Sequence, residues 1–221
     1  AHRGWRCLLV DRQRGAGAVP LTKVADLAPA LVDAFAGIER RPIVIGHDLG
    51  ALTALDSRVR ERCRAVVSIA PLLEGAAGSF GRLRRLLLLA SGGMLAAPSA
   101  EHPYLAGEPE AQRKELADRF LPEAASLVLA RPGRAALPMA SRVATLLVGH
   151  QGDPLVSAAA CAITAQGIDA DSMTLEGGHW SLAGRQVENS VGKIHRWLIR
   201  RAGDDLLLLK GDEDLRDDEP S

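Results

Sequence analysis

The sequence predicts an α/β domain: a mostly parallel sheet covered by helices on both faces, with a helical segment inserted between its strands. Three observations predict it. Short apolar runs of strand length alternate with segments whose apolar residues recur at helical spacing, as a parallel sheet buried on both faces requires. One such run passes straight into a glycine-flanked turn and then into a helix. The rhythm breaks once, over residues 72–140, where Gly, Pro and a basic cluster replace it.

Taken in order, residues 6–10 (RCLLV) form the first expected strand, which runs into the glycine-rich turn from Asp11 to Gly17. Residues 21–38 place Val24, Leu27, Leu31, Phe35 and Ile38 at helical spacing. Residues 42–45 form a second strand, short and without a polar interruption, as a buried parallel strand is. Residues 49–62 read as helix, 65–70 (AVVSIA) as a third strand, 143–148 (VATLLV) as a fourth and 172–175 as a fifth. Helices fit 157–166 and 186–201. The insertion reads as a cap with helices over 81–89 and 111–129, and its cluster Arg82, Arg84, Arg85 as a solvated helix face rather than an anion site. Residues 86–97 are the longest apolar stretch, read as a lid or core helix; Ser91, Gly92 and Gly93 interrupt it, and it is too short to span a bilayer. The expected organisation is a core in two parts (1–71 and 141–202), a cap (72–140) and a tail (203–221).

Charge bounds the partners. Basic and acidic residues balance at 27 each, so the chain has no overall electrostatic preference for nucleic acid or an anionic membrane. The balance hides an acidic tail, where Asp204, Asp205, Asp212, Glu213, Asp214, Asp217, Asp218 and Glu219 face only Lys210 and Arg216. Such a tail is expected to be solvated and disordered, with docking through residues 206–209 (LLLL) as the alternative. Three cysteines are too few for a disulfide framework or a zinc site; Cys7 and Cys63 read as core or near-core side chains, and the cytosol as the expected compartment. The chain begins with Ala, which fits a processed chain or a fragment. No cofactor is expected. Gly15-Ala16-Gly17 follows a strand but lacks the third glycine and the acidic partner of a nucleotide loop. His2, His102, His150 and His195 show no ligand spacing and read as surface or packing residues, so no metal is expected.

The chemistry gathers in three segments. Ile43-Val44-Ile45-Gly46-His47-Asp48-Leu49-Gly50 carries a strand into Gly-x-Asp-x-Gly and then a helix. In that context the central residue turns sharply at the carboxyl end of the sheet, flanked by glycines because the strand and helix backbones nearly touch. The following N–H, from Leu49, and the helix dipole favour negative charge there. Gly149-His150-Gln151-Gly152-Asp153-Pro154 follows the fourth strand, and Glu176-Gly177-Gly178-His179-Trp180 follows the fifth. The chain order is thus nucleophile, acid, histidine. Each residue also has a plainer reading: Asp48 as a helix cap, Asp153 as an Asp-Pro turn former, His179 as a loop histidine, His47 as a packing neighbour with a pocket-lining role second, and Trp180 as a packing anchor.

These motifs resemble the α/β-hydrolase superfamily over residues 1–71 and about 141–201, with Asp11…Arg14-Gly15-Ala16-Gly17 similar to its D-x-R-G-x-G turn and Ser68-Ile69-Ala70-Pro71 similar to the end of the strand after its elbow helix. Aspartate at the elbow is similar to haloalkane dehalogenases, fluoroacetate dehalogenases and epoxide hydrolases. The resemblance implies Asp48 as nucleophile, His179 as the base that activates water, Asp153 as its orienting acid, and Leu49 N–H as half of an oxyanion hole. His47, Trp180 and Tyr104 then line the substrate site. A small organic molecule is the implied partner, with no nucleic acid and no membrane.

The pattern departs from the family in three places. The chain opens near the family's fourth strand, without the His-Gly loop that supplies the second oxyanion donor. The expectation is a fragment, a homo-oligomer or partner chain completing the sheet edge, or a domain that has become a binding module. Leu49 stands where haloalkane dehalogenases carry Trp and fluoroacetate dehalogenases Arg. Epoxide hydrolases use two cap tyrosines, and this chain has one, Tyr104. An esterase or thioesterase activity is the third reading; it is disfavoured because aspartate attacking an acyl carbon gives an anhydride.

Overall fold

The computed structural model describes residues 7–10, 24–71, 93–125, 127, 137, 141–180 and 187–214. Its centre is a four-stranded parallel sheet of β1 (Ile43–His47), β2 (Ala65–Ile69), β5 (Ala144–His150) and β6 (Asp171–Leu175), in the order β1-β2-β5-β6. The pairings are in continuous register, for example Ile45 with Val67, Val67 with Leu146, and Val148 with Met173. Helices α1 (Val24–Asp33), α2 (Leu49–Leu55), α3 (Ser57–Arg60), α4 (Glu110–Ala117), α5 (Ala158–Gly167) and α6 (Val187–Asp214) follow in chain order.

Alternation along the two central strands builds two cores. Val66 and Leu147 face α1, α2 and α3, where Leu27, Leu52, Leu55 and Val59 are buried. Val67, Ile69, Leu146 and Val148 face the other way, onto Ile194, Trp197 and Leu198 of α6. Every residue of β2 (AVVSI) is buried, and its one polar side chain, Ser68, donates to the Ala51 carbonyl at 3.2 Å. Asp171, the first residue of β6, ties α6 down at the amino end of the sheet. Its carboxylate accepts the Trp197 indole N–H at 2.7 Å and a forked pair from Arg201 at 2.8 and 2.6 Å.

Several expectations are corrected. Residues 7–10 carry no strand, and Leu8, Leu9 and Val10 are exposed; a strand exists only through its ladder partner, and none lies beside them among the described residues. Cys7 is therefore exposed rather than near-core. The second strand is not buried: β1 is the edge of the described sheet, and Ile45 is 56% exposed. The helix expected over 49–62 breaks at Asp56, which turns out of helical geometry (ψ 137°) and caps α3 by accepting the Arg58 N–H. The helix expected over 111–129 ends at Ala117; Glu123–Ala124 is instead a short strand, β4, paired antiparallel with β3, Met94–Leu95, so the end of the 86–97 stretch is strand rather than helix. The acidic tail is helical as far as Asp214, a continuation of α6. Its residues 215–221, the side chains of 206–209, the Gly15-Ala16-Gly17 turn, the 81–89 helix with its three arginines, and His2 lie outside the described residues.

Candidate functional site

The turn between β1 and α2 is sharp enough to force strain. Asp48 sits at φ 51°, ψ −111°, a left-handed backbone that aspartate adopts at a cost of roughly 1–3 kcal/mol. Its side chain makes no capping bond to α2, so helix capping does not account for it. The turn is pinned by Asp48 N–H donating to the Ile69 carbonyl at 3.0 Å and Leu52 N–H donating to the Asp48 carbonyl at 3.2 Å. The two glycines are unequal. A Cβ on Gly46 would drive into the backbone carbonyl of Gly50, whereas a Cβ on Gly50 would meet open space. Close approach of strand and helix thus demands glycine on the strand side only. Leu49 is the buried first residue of α2, at the helix end where the dipole favours negative charge.

The acid and histidine loops meet backbone to backbone. Gly152 N–H donates to the Gly177 carbonyl at 3.0 Å, and a Cβ on Gly152 would press on that same oxygen. Gly177 has φ 103°, and a Cβ on Gly178 would strike the Ala106 carbonyl. These contacts carry His179 onto Asp153. The His179 Nδ1–H donates to Asp153 Oδ2 at 2.8 Å, with both side chains buried. Asp153 Oδ1 accepts the N–H groups of Leu155 and Val156 at 2.7 and 3.0 Å. Asp153 is therefore both a turn former and the hydrogen-bond partner of His179. Burial alone would raise its pKa; the His179 bond and charge and the two backbone N–H groups outweigh burial and hold the carboxyl below its usual range. With Nδ1 committed to a carboxylate, Nε2 of His179 is the acceptor nitrogen, and it is buried without a hydrogen-bond partner among the described residues.

A ring cluster surrounds this pair. His47 Nε2–H donates to the His179 backbone carbonyl at 2.8 Å, and the two rings lie 4.8 Å apart. Burial, then the neighbouring His179, lowers the His47 pKa from 6.5 to about 4, so the ring is neutral at neutral pH. Trp180 meets His47 edge-on at 4.6 Å, and Phe120 meets Trp180 at 5.3 Å. Tyr104, in a 3-10 turn over Pro103–Leu105, stacks on His179 with ring centroids 5.1 Å apart and planes 15° from parallel. His102 accepts the Tyr104 N–H and packs against its ring, so it holds this turn.

The structure thus brings Asp153, His179, His47, Trp180 and Tyr104 together beside the turn that bears Asp48 and Leu49. Sequence reasoning missed two members. Phe120 lies in the stretch read as the 111–129 helix, where nothing in the sequence marked it as a site residue. His150, read as a surface or packing residue, is fully buried at the end of β5, and neither ring nitrogen has a hydrogen-bond partner among the described residues. Burial first, then His179, lowers its pKa against the opposing pull of Asp153. Its place three residues before Asp153, in the loop that ends β5, was the available signal. His195, on α6, is half-buried. Among the described residues no group of His, Cys, Asp and Glu could hold a metal ion, and no helix is long and apolar enough to cross a membrane.

Comparisons with known proteins agree with this architecture. The described fold is similar to the Paleococcus ferrophilus monoacylglycerol lipase (TM-score 0.61, 18% identity, covering 81% of this chain and 76% of that one). It is similar to a hydrolase from Pseudomonas aeruginosa PA01 (TM-score 0.56, 19% identity, 82% and 72%) and to mouse alpha/beta hydrolase domain-containing protein 10 (TM-score 0.55, 14% identity, 80% and 70%). At these identities the likeness speaks to the fold. A search of curated protein sequences finds no match. The model of the alpha/beta hydrolase family matches residues 1–188, the greater part of the sequence, and with the sheet order and the strand–turn–helix elbow this places the chain in the alpha/beta hydrolase family.

Proposed function

We propose that this protein is a hydrolase that acts on a small, uncharged organic electrophile through Asp48. The observation that carries the reading is a buried Asp153–His179 pair, its acceptor nitrogen without a hydrogen-bond partner among the described residues, beside an aspartate held at positive φ. In the first step a carboxylate oxygen of Asp48 attacks an sp³ carbon; a C–O bond forms, and the leaving group departs with its electron pair. In the second, His179 Nε2 takes a proton from water, and the hydroxide attacks the ester carbon of Asp48. Asp48 returns as carboxylate, and the alkoxide product takes the proton. Asp153 holds the Nδ1–H tautomer and stabilises the imidazolium. Leu49 N–H faces the oxyanion. His47, Trp180 and Tyr104 bound the substrate, with the 72–140 segment as its cap. The chemistry needs no cofactor and suits a cytosolic enzyme. Halide and epoxide leaving groups are both compatible with it, and an activated ester is the outlying case.

The position of β1 at the edge of the described sheet favours a second reading: a hydrolase fold that serves as a binding module, with a second copy or a partner chain paired along β1. One experiment separates the two. A His179→Gln variant is incubated with haloalkanes, epoxides and activated esters, and its intact mass is measured. The expected result is a mass gain that maps to Asp48. A folded variant that gains no mass with any of the three classes overturns the enzyme reading in favour of the binding module.

A further inference from the structure

The hydrogen bond between His47 and His179 has no part in the chemistry above, yet it joins residues 132 apart in sequence at the point where geometry matters most. His47 is the last residue of β1, directly before Asp48. Its ring contacts two consecutive residues of the histidine loop, His179 by hydrogen bond and ring contact and Trp180 by an edge-on contact. We infer that His47 is a positioning residue, a brace that fixes where His179 stands relative to Asp48; the inference rests on the reaction proposed above.

The physical need is plain. Asp153 holds His179 from the Nδ1 side and so controls the tilt of the ring. It does not tie the histidine loop to the elbow, which sits on a different strand at the other edge of the described sheet. That loop contains Gly177 at φ 103° and Gly178, so its own backbone resists displacement weakly. A bond from the residue adjoining the nucleophile to the backbone of the base closes this gap. An imidazole suits the task. Its Nε2–H reaches the carbonyl while its flat ring packs against Trp180, and burial keeps it uncharged, so it puts no cation beside a histidine that must itself take up a proton.

The two steps of the reaction give the brace a signature. Attack by Asp48 does not use His179, whereas breakdown of the ester does. Rapid-quench mass spectrometry on His47→Leu and His47→Gln resolves them, the glutamine amide offering an N–H in place of Nε2–H. The expected result is breakdown of the ester slowed about ten- to a hundredfold more than its formation in His47→Leu, and breakdown restored to within about threefold of wild type in His47→Gln. Equal slowing of both steps, or no recovery with Gln, overturns the inference. A second readout stands apart from the reaction: the downfield proton resonance of His179 Nδ1–H in the unliganded protein. It is expected to broaden in His47→Leu and persist in His47→Gln. If His179→Gln traps no adduct and this pattern holds, the brace stands and the proposed reaction falls. A resonance unchanged in His47→Leu overturns the brace.

Discussion

The two ends of the parallel sheet each carry a buried or half-buried aspartate, and they handle polar groups in opposite ways. At the amino end, Asp171 is about a third exposed and fully satisfied, clamped by Trp197 and Arg201. Its pKa is lowered first by the Arg201 hydrogen bond, in the manner of a surface ion pair. At the carboxyl end, Asp153 is wholly buried, Asp48 is strained, and among the described residues one nitrogen of His179 and both of His150 have no hydrogen-bond partner. A neutral polar atom buried without a partner costs about 1–3 kcal/mol. The amino end therefore adds stability, and the carboxyl end spends some of it on unsatisfied groups. Sites of chemistry are where such departures concentrate.

Substitutions at the two ends test this contrast, and the largest expected effect is Asp153→Asn. It removes the acceptor that fixes the His179 tautomer, and turnover is expected to fall about 10³–10⁴-fold, measured as the steady-state rate on whichever substrate traps on Asp48. An Asp153→Asn enzyme that keeps its rate would mean the buried pair is merely structural. Next is Gly178→Ala, which pushes a methyl group into the Ala106 carbonyl; a stability loss of about 1–3 kcal/mol in urea unfolding is expected. His150→Met should run the other way. Removing two orphaned nitrogens while keeping the volume is expected to stabilise the fold by about 1 kcal/mol, and a destabilised variant would show that His150 has a partner that holds it.

Acid sensitivity should follow the same division. The His47 pKa is depressed in the folded state, to about 4 from 6.5, so the unfolded chain takes up the proton first. Stability from this group is complete above about pH 6.5 and is lost as pH falls toward about 4. The charged and titratable neighbours that set this are His179, Asp48 and His150. Urea midpoints at pH 7 and pH 5 are expected to differ less in His47→Gln than in wild type. The smallest effect is at Asp171→Asn: a slight loss of stability and unchanged turnover, since nothing at the amino end touches the proposed chemistry.

What was legible in the sequence was local. The elbow reads directly because strand, glycine, aspartate and helix are contiguous, and the β2 and β5 runs are apolar enough to be nothing but buried strands. The break at Asp56 was also available, since an Asp-Ser pair inside a helical stretch is a cap signal, but the apolar residues on either side masked it. Residues 7–10 show the converse failure. RCLLV has strand composition, yet composition supplies no ladder partner, and the segment lies exposed. The continuation of α6 through acidic residues to Asp214 is not legible in the charge pattern, because like charges mark a solvated segment whether it is helical or not.

By itself the sequence determined the α/β class, the strained aspartate turn and the order of the three site segments, because each depends on side-chain periodicity or on backbone sterics within a few residues. Only the tertiary structure decided which groups meet: Asp153 with His179 across 26 residues, His47 with His179 across 132, and Tyr104 upon the same ring. It also decided which of six histidines lost their water. Desolvation depends on everything packed around a group, and glycine-lined backbone contacts such as Gly178 against Ala106 set that packing at a range that no local pattern encodes.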